Sequence, residues 1–461
     1  MKIPWASDII RKGWFLAGCK RIHLKFKWSP MHFCNKKTLL ALFIVLLSGP
    51  KAISQDDFAS LYTKAKDAYK TKALDEFQTL IQKAVKLNPG HQGALYYAGI
   101  ACSLRGRPDE AVILLERCIA IDSRYPLSTN PDLMVLEGRS DFKNLLRFQA
   151  EATKPVITSD TAFVIPDRQL HAEGIACDPK TNTFYLGSIH KSKIVTITAN
   201  GDVQDFLKKP IKDITSVFGL KVDAEKRLLW ACSSPIPETN SYKPSMHSAV
   251  FKFNIDNKNL LETYKPDSTI IGSVFGDLAV GPQGTIFISD SKNNIIFRLN
   301  ELTKRLESYF TSPDFRNIQG LAFSDDGTLL YIADYINGLF VLKTTTKQLT
   351  KLTELPLVSL KGIDGLLYHK KSLIAIQNGV FPLRSVRYVL DDSGFNIQSS
   401  QTIDSHHPAF NEPTLGTIVG ETLYYIANSQ WSGYDDQHQI KPVDQLNDIV
   451  ILKSRLIPSS K

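Results

Sequence analysis

Residues 319–334 read QGLAFSDDGTLLYIAD. Two short runs of aliphatic, aromatic and β-branched residues flank the polar turn Ser324–Thr328, the pattern of two antiparallel strands joined by a tight loop. One such hairpin is common to many folds, so its recurrence decides the reading. The unit returns as EGIACDPKTNTFYLGS from Glu173, FGLKVDAEKRLLWACS from Phe218, GDLAVGPQGTIFISD from Gly276, DGLLYHKKSLIAIQN from Asp364 and, more loosely, PTLGTIVGETLYYIAN from Pro413. Each is followed by another apolar run (KIVTIT, AVFKFNI, NIIFRLN, GLFVLK, VRYVL, DIVIL) and usually by a fourth, more polar one such as DVQDFL, LLETYK or LESYF. Six units of about four strands, about 45 to 60 residues apart, predict a six-bladed β-propeller. The last unit lacks a fourth strand, while TAFVIP at Thr161–Pro166 is a strand without a blade. It is expected to fill that gap and close the ring, which removes an exposed sheet edge.

Upstream the pattern changes. From Gln55 to about Ala150 apolar residues recur at spacings of three and four, the mark of amphipathic helices. LIQKAVKLNP and LLERCIAIDS align with a shift of 34 residues, Ala84 over Cys118 and Leu87 over Ile121. With Gly99 in one helix, Ala111 in the next and the turn RGRPDE between them, this resembles a tetratricopeptide repeat. The first repeat is degenerate, with Ala65 and Phe77 at the matching places, and NPDLMVLEGRSDFKNLLRFQAEA is expected to cap the stack. Such a module is either a spacer or a surface for a protein partner. The fold class is therefore α+β and multidomain: a leader over 1–54, helical repeats over 55–150 and the propeller over 156–461.

The net charge of +9 would ordinarily suggest an anionic partner. Its distribution removes that suggestion. Residues 1–54 hold ten Lys and Arg against the single acid Asp8, and the remaining chain carries 45 basic and 45 acidic groups. Nucleic acid is excluded as the partner. From Met31, read as the true start, MHFCNKKTLLALFIVLLSGPKAISQDD has the basic segment, short apolar core and small residues Ala52 and Ser54 of a secretory signal peptide. Leu39–Leu47 is too short to span a membrane, so no transmembrane anchor is expected after cleavage, and the protein is read as secreted or periplasmic. LAGC at Cys19 resembles a lipoprotein box, but Asp8, Arg11 and Lys12 occupy its apolar core. Beyond the leader stand Cys102, Cys118, Cys177 and Cys232, far apart and without metal-ligand spacing. They are read as buried core residues, with one or two disulfides as the alternative.

Position within the repeat singles out the site. The first strand of each propeller blade lines the central channel, so its leading residue faces the channel mouth. That column is Glu173, Phe218, Gly276 with Asp277 beside it, Gln319, Asp364 and, in the last blade, Glu412 or Thr414. Carboxylates and an amide aimed at one point repel unless a cation lies between them. Their oxygens suit Ca²⁺ or another hard divalent cation, and no His or Cys in the column suits zinc. His171 shares a strand face with Glu173, while His406, His407, Trp431 and Tyr434 lie in loops near the mouth. GxSxG, HExxH, P-loop and dinucleotide-binding patterns are all missing from the sequence.

The propeller resembles the senescence-marker/gluconolactonase superfamily of regucalcin-like lactonases, to which strictosidine-synthase-like, paraoxonase-like and yellow/royal-jelly proteins are related. The resemblance is carried by EGxxxD at Glu173, GLAFSDDGTLLYIAD after Gln319 and DGL at Asp364. It implies a metal held by a Glu, an Asn and an Asp. Glu173 and Asp364 match, Gln319 stands where the Asn is expected, and FGD replaces the usual third-blade pattern. ITSVFGLKVDAEKRLLWACSS and SAVFKFNIDNKNL resemble the yellow/royal-jelly branch. Phe218 stands where a paraoxonase-like protein has a His. The expected metal ligands are Glu173, Gln319, Asp364 and Asp277, with Asp364 or Asp277 orienting or deprotonating a water that attacks a lactone or ester carbonyl. The alternative is a non-catalytic propeller that binds a small ligand or a protein.

Overall fold

The computed structural model describes residues 57–240 and 242–456. The leader and its signal-peptide reading lie outside the described residues. The chain divides into two compact units, Met1–Asn88 and Pro89–Lys461. The first contributes a helical hairpin, α1 (Phe58–Lys70) and α2 (Leu74–Leu87). The Asp57 carboxylate caps α1 by accepting the Ser60 N–H at 2.7 Å. Leu61, Ala65 and Ala68 on α1 and Phe77, Ile81 and Ala84 on α2 supply the buried stripe at helical spacing.

The second unit begins with α3 (Gln92–Leu104) and α4 (Pro108–Ile121). Pro108 opens α4 at the position where a missing N–H does no harm, and Asp109 and Glu110 complement its N-terminal dipole. Gly99 is required here: a Cβ would stand 2.8 Å from Leu115 Cγ, so its absence lets the two helices close together. A 3₁₀ turn (Pro131–Leu136) and α5 (Ser140–Ala152) follow. The division after Asn88 falls within the helical region. Hydrogen bonds tie the end of α4 to the propeller. Phe381 N–H donates to Ile121 O at 2.8 Å, Ser123 N–H to Phe381 O at 3.0 Å, and the Arg384 guanidinium to Ala120 O at 3.0 Å.

The propeller has the predicted six sheets of four antiparallel strands. Its inner strands are Ala172–Asp178, Ser216–Asp223, Phe275–Val280, Ile318–Phe323, Ile363–Tyr368 and Gly416–Val419. The sixth sheet is completed by Asp160–Ile165, which pairs with Ile449–Arg455 from the far end of the chain. The closing strand is the one expected from TAFVIP. Apolar clusters lie between neighbouring blades. At the closure, Ile165, Ile449 and Ile451 pack with Ile175, Phe184 and Leu186 of blade 1. The four cysteines are buried free thiols. Among the described residues no helix is long and apolar enough to cross a membrane.

Two recurring local features position the channel mouth. First, the second strand of five blades ends in a buried polar side chain that bonds the loop leading into its own inner strand. Ser188 Oγ donates to Leu170 O, Ser233 Oγ accepts Thr215 N–H at 2.8 Å, and Asp290 accepts Val274 N–H at 3.1 Å. Asp334 accepts the N–H groups of Arg316 and Asn317 at 2.6 and 3.0 Å, and Gln377 donates to Ser359 O and Lys361 O. Second, the pairing of inner and second strands slips in the same five blades, between Ala172/Gly174, Val217/Leu220, Phe275/Leu278, Ile318/Leu321 and Ile363/Gly365. Such bulges take a residue out of the ladder and re-aim its side chain.

Asp334 serves four backbone donors, because it also accepts Ile336 and Asn337 N–H. Asp334→Asn keeps the shape but leaves one oxygen for two pairs of donors. It is expected to destabilise the protein by about 2–3 kcal/mol in urea unfolding, as for buried N–H groups left without an acceptor. An unchanged midpoint would show that this bond does not hold the loop.

Candidate functional site

The bulges contain Glu173, Phe218, Gly276 with Asp277, Gln319 and Asp364, the predicted column. Glu173, Gln319 and Asp364 are only 4%, 5% and 7% exposed. Asp364 Oδ2 accepts the Asn378 amide at 2.8 Å and the Thr414 hydroxyl at 2.9 Å, while Oδ1 has no donor among the described residues. Thr414, rather than Glu412, is thus the sixth blade's contribution to the axis. Glu173 accepts hydrogen bonds from the Ser429 hydroxyl and the Trp431 indole. Burial, then the nearby Asp364 charge, push the Glu173 carboxyl up to about 8. Asp364 is raised to about 6, chiefly by burial, against the opposing bonds from Thr414 and Asn378. No lysine or arginine among the described residues forms an ion pair with either carboxylate.

Gln319 is fixed by its neighbour: its Nε2 donates to Asn317 Oδ1 at 2.7 Å, and Asn317 in turn donates to Ser291 O. Its Oε1 lies 2.6 Å from where a Cβ on Gly276 would stand. The length of the Gln319 side chain and the missing side chain of Gly276 are complementary.

Asp277 does not share this arrangement. Blades 1, 2, 4 and 5 carry Gly174, Gly219, Gly320 and Gly365 one step after the axial position, whereas blade 3 has Asp277. At Gly174 and Gly320 a Cβ would strike the next blade's backbone, 1.8 Å from Phe218 O and 2.6 Å from Leu366 N. Asp277 occupies that tight interblade position. Its Oδ1 takes the Lys221 ammonium at 3.0 Å, an ion pair between the inner strands of blades 2 and 3. Burial raises its carboxyl, with Lys221 opposing. An aspartate neutralised by an ammonium is a poor metal ligand or base, and in this structure Asp277 is paired with Lys221. Among the described residues no group of three or more His, Cys, Asp or Glu is placed to hold a metal. What remains is two carboxylates and one amide oxygen.

The loop after the last blade's second strand covers the mouth. Trp431 meets the His171 ring at a centroid distance of 4.5 Å, and Tyr434 OH lies 2.7 Å from His171 Nδ1. Glu412 holds this turn by accepting the Ser432 N–H at 3.2 Å. His171 is fully enclosed, and burial, with His190 nearby, lowers it to about 3, so it stands neutral against Trp431 and Tyr434. His438 Nδ1 pairs with the buried Glu238 at 2.6 Å. His406 and His407 take no part: they rest against Phe381 and Phe410.

Sequence reading did not find Ser429, Asn378, Tyr335 or Lys221. Tyr335 OH supports Asn378 at 3.0 Å. Three of these residues share a signal, since Tyr335, Asn378 and Ser429 each lie one to three places past the end of a second strand. Reading the repeat slightly further would have aligned them.

Because its folded value is raised, Glu173 contributes stability that is complete below its ordinary value of 4.5 and is lost as pH rises through about 8. Without added divalent cation, the melting temperature of wild type relative to Glu173→Gln is therefore expected to fall between about pH 5 and 8. A pH-independent difference would contradict this buried, uncompensated carboxyl.

No family model matches the sequence, and no curated protein matches it. Among solved structures, a calcium-binding regucalcin from Agrobacterium tumefaciens is 17% identical over 65% of this chain and 97% of its own, with a TM-score of 0.44. A gluconolactonase from Xanthomonas campestris is 14% identical over 65% and 88%, with a TM-score of 0.40. The PQQ-bound aldose sugar dehydrogenase from Streptomyces coelicolor is 14% identical over 65% and 96%, with a TM-score of 0.41. The propeller assignment for this chain stands on its own six paired sheets.

Proposed function

We propose that the propeller is a divalent-cation-dependent hydrolase of lactones or esters, with its reaction centre at the channel mouth. The observation that carries this reading is the pair Glu173 and Asp364, two buried carboxylates without a basic partner, both raised by burial and Glu173 also by the Asp364 charge. Such a pair is stabilised by a cation. Glu173, Asp364 and the Gln319 amide oxygen fit a hard cation by donor chemistry, and Ca²⁺ is the natural candidate. A bound cation supplies Lewis-acid polarisation of a carbonyl and charge stabilisation of the resulting oxyanion.

The chain's own residues do the rest. Asp364, raised to about 6 and with Oδ1 unencumbered, accepts the proton of the attacking water near neutral pH. Asn378 and Thr414 keep its other oxygen fixed. Ser429 and Trp431 orient Glu173, and the Trp431–Tyr434 turn excludes water from the mouth. Substrate access then requires this turn to move. The leader pattern extends the proposal to an exported protein, and the tetratricopeptide-like helices to a protein-contact surface.

A second reading rests on the same turn. With Glu173 enclosed beneath Trp431 and Tyr434, the propeller serves as a non-catalytic module that binds a small ligand or protein, and the cation is structural.

Calorimetry of Ca²⁺ binding to the wild type and to Glu173→Gln/Asp364→Asn, followed by a panel of sugar lactones and aryl esters, separates the readings. The hydrolase reading predicts cation binding lost in the double variant and hydrolysis abolished by chelator. Cation binding without turnover would favour the second reading. No binding at millimolar Ca²⁺ would remove the metallohydrolase.

A further inference from the structure

A second enclosed site lies away from the axis. A cavity of about 280 Å³ opens where α3 and α4 meet the segment that leads into the inner strand of blade 5. Much of its wall is apolar, including Leu95, Ile113, Ile121, Leu355 and Val358. Lys361 breaks that pattern. It is only 9% exposed, yet its ammonium makes no hydrogen bond or ion pair among the described residues. Nζ stands 1.6 Å from where a Cβ on Gly90 would lie, and Gly90 also lines the cavity. The lysine backbone is held firmly, with its N–H on Ser359 Oγ at 3.3 Å and its carbonyl on the Gln377 amide at 2.6 Å. Ser359 is fully buried, and its hydroxyl accepts that N–H but donates to no described acceptor.

The charges around Lys361 leave it uncompensated. Glu354 is exposed and spends Oε1 on the Leu360 N–H at 3.4 Å. Arg117 donates to Pro89 O at 2.7 Å, and the Glu116 carboxyl at the rim is raised by burial. Burial lowers Lys361 to about 8, with Glu354 and Asp334 opposing and Lys351 and Arg117 adding to the shift. The group is therefore still largely an ammonium at neutral pH. A largely desolvated ammonium without a protein partner favours an anion beside it.

We propose that this cavity binds a small monocarboxylate with a compact, branched apolar body, its carboxylate on Lys361 Nζ and Ser359 Oγ. One ammonium and one hydroxyl match a singly charged, two-oxygen group. A dianionic phosphate would be repelled more strongly than a singly charged group by Glu116 and Glu354 at the rim. At roughly 30 Å³ per small group, the volume accommodates about nine non-hydrogen atoms. The site is independent of the channel mouth and of the hydrolase reading.

The test is calorimetry on the full chain at neutral pH with 4-methylpentanoate and its neutral analogue 4-methylpentanamide. The wild type is expected to bind the carboxylate and to bind the amide at least about tenfold more weakly, the scale of a charge-assisted pair. Lys361→Met is expected to lose about tenfold or more in carboxylate affinity. Gly90→Ala, whose new Cβ displaces the ammonium while keeping its charge, is expected to weaken binding similarly. If Lys361→Met does not fold, the amide comparison and Gly90→Ala decide. No carboxylate binding by the wild type, equal binding of the amide, or unchanged affinity in the folded variants would overturn the proposal.

Discussion

The architecture depends on a hydrogen bond repeated around the ring, from the polar side chain that ends a second strand to the loop that leads into the inner strand of the same blade. Ser188, Ser233, Asp290, Asp334 and Gln377 make it in five blades, and all are buried. A loop that crosses the core side of a sheet must satisfy its own backbone groups without water. These side chains do so, and they also fix where each inner strand begins. The bulge that follows then turns one residue per blade out of the ladder and toward the axis. The position of Glu173, Gln319 and Asp364 is thus a consequence of how each blade satisfies its backbone. Asp334 shows the coupling directly: it holds the N–H of Asn317, and Asn317 orients Gln319.

Electrostatics then divides the buried acids of the channel into two kinds. Asp277 has an internal counter-charge in Lys221, so its ionised form is compensated within the protein. Glu173 and Asp364 have only hydroxyl, amide and indole donors, which favour the ionised form without neutralising it. The protein therefore carries at its mouth a negative charge that is disfavoured when both groups ionise. Either a proton or an external cation relieves it, and the two compete. On the proposed reading, that competition would make cation affinity rise with pH over the range in which the protein without cation loses stability.

Much of this was legible in the sequence. The blade count, the closing strand at Thr161–Pro166 and the column Glu173–Gln319–Asp364 follow from period and register, because strand alternation and the repeat impose them. The sequence also held the clue that separates Asp277. Where other units read Glu-Gly, Phe-Gly, Gln-Gly and Asp-Gly, the third reads Gly-Asp, so its acid stands in the place of a glycine. Its partner Lys221 was not legible, since the ion pair joins residues of two different blades. The choice of Thr414 over Glu412 depended on loop geometry, as did the closure of the mouth by Trp431 and Tyr434. No periodicity governs those segments. Lys361 resembled an ordinary loop lysine until the fold enclosed it.

The central claim is that Glu173, Asp364 and Gln319 together form a cation site. Its most direct test is anomalous diffraction from crystals grown with Mn²⁺, a hard divalent ion that oxygen donors of this kind accept. The account predicts an anomalous peak bonded to oxygens of Glu173, Asp364 and Gln319, with Lys221 still paired to Asp277. A channel mouth with no peak, or a peak ligated by Asp277 with Lys221 displaced, would contradict it.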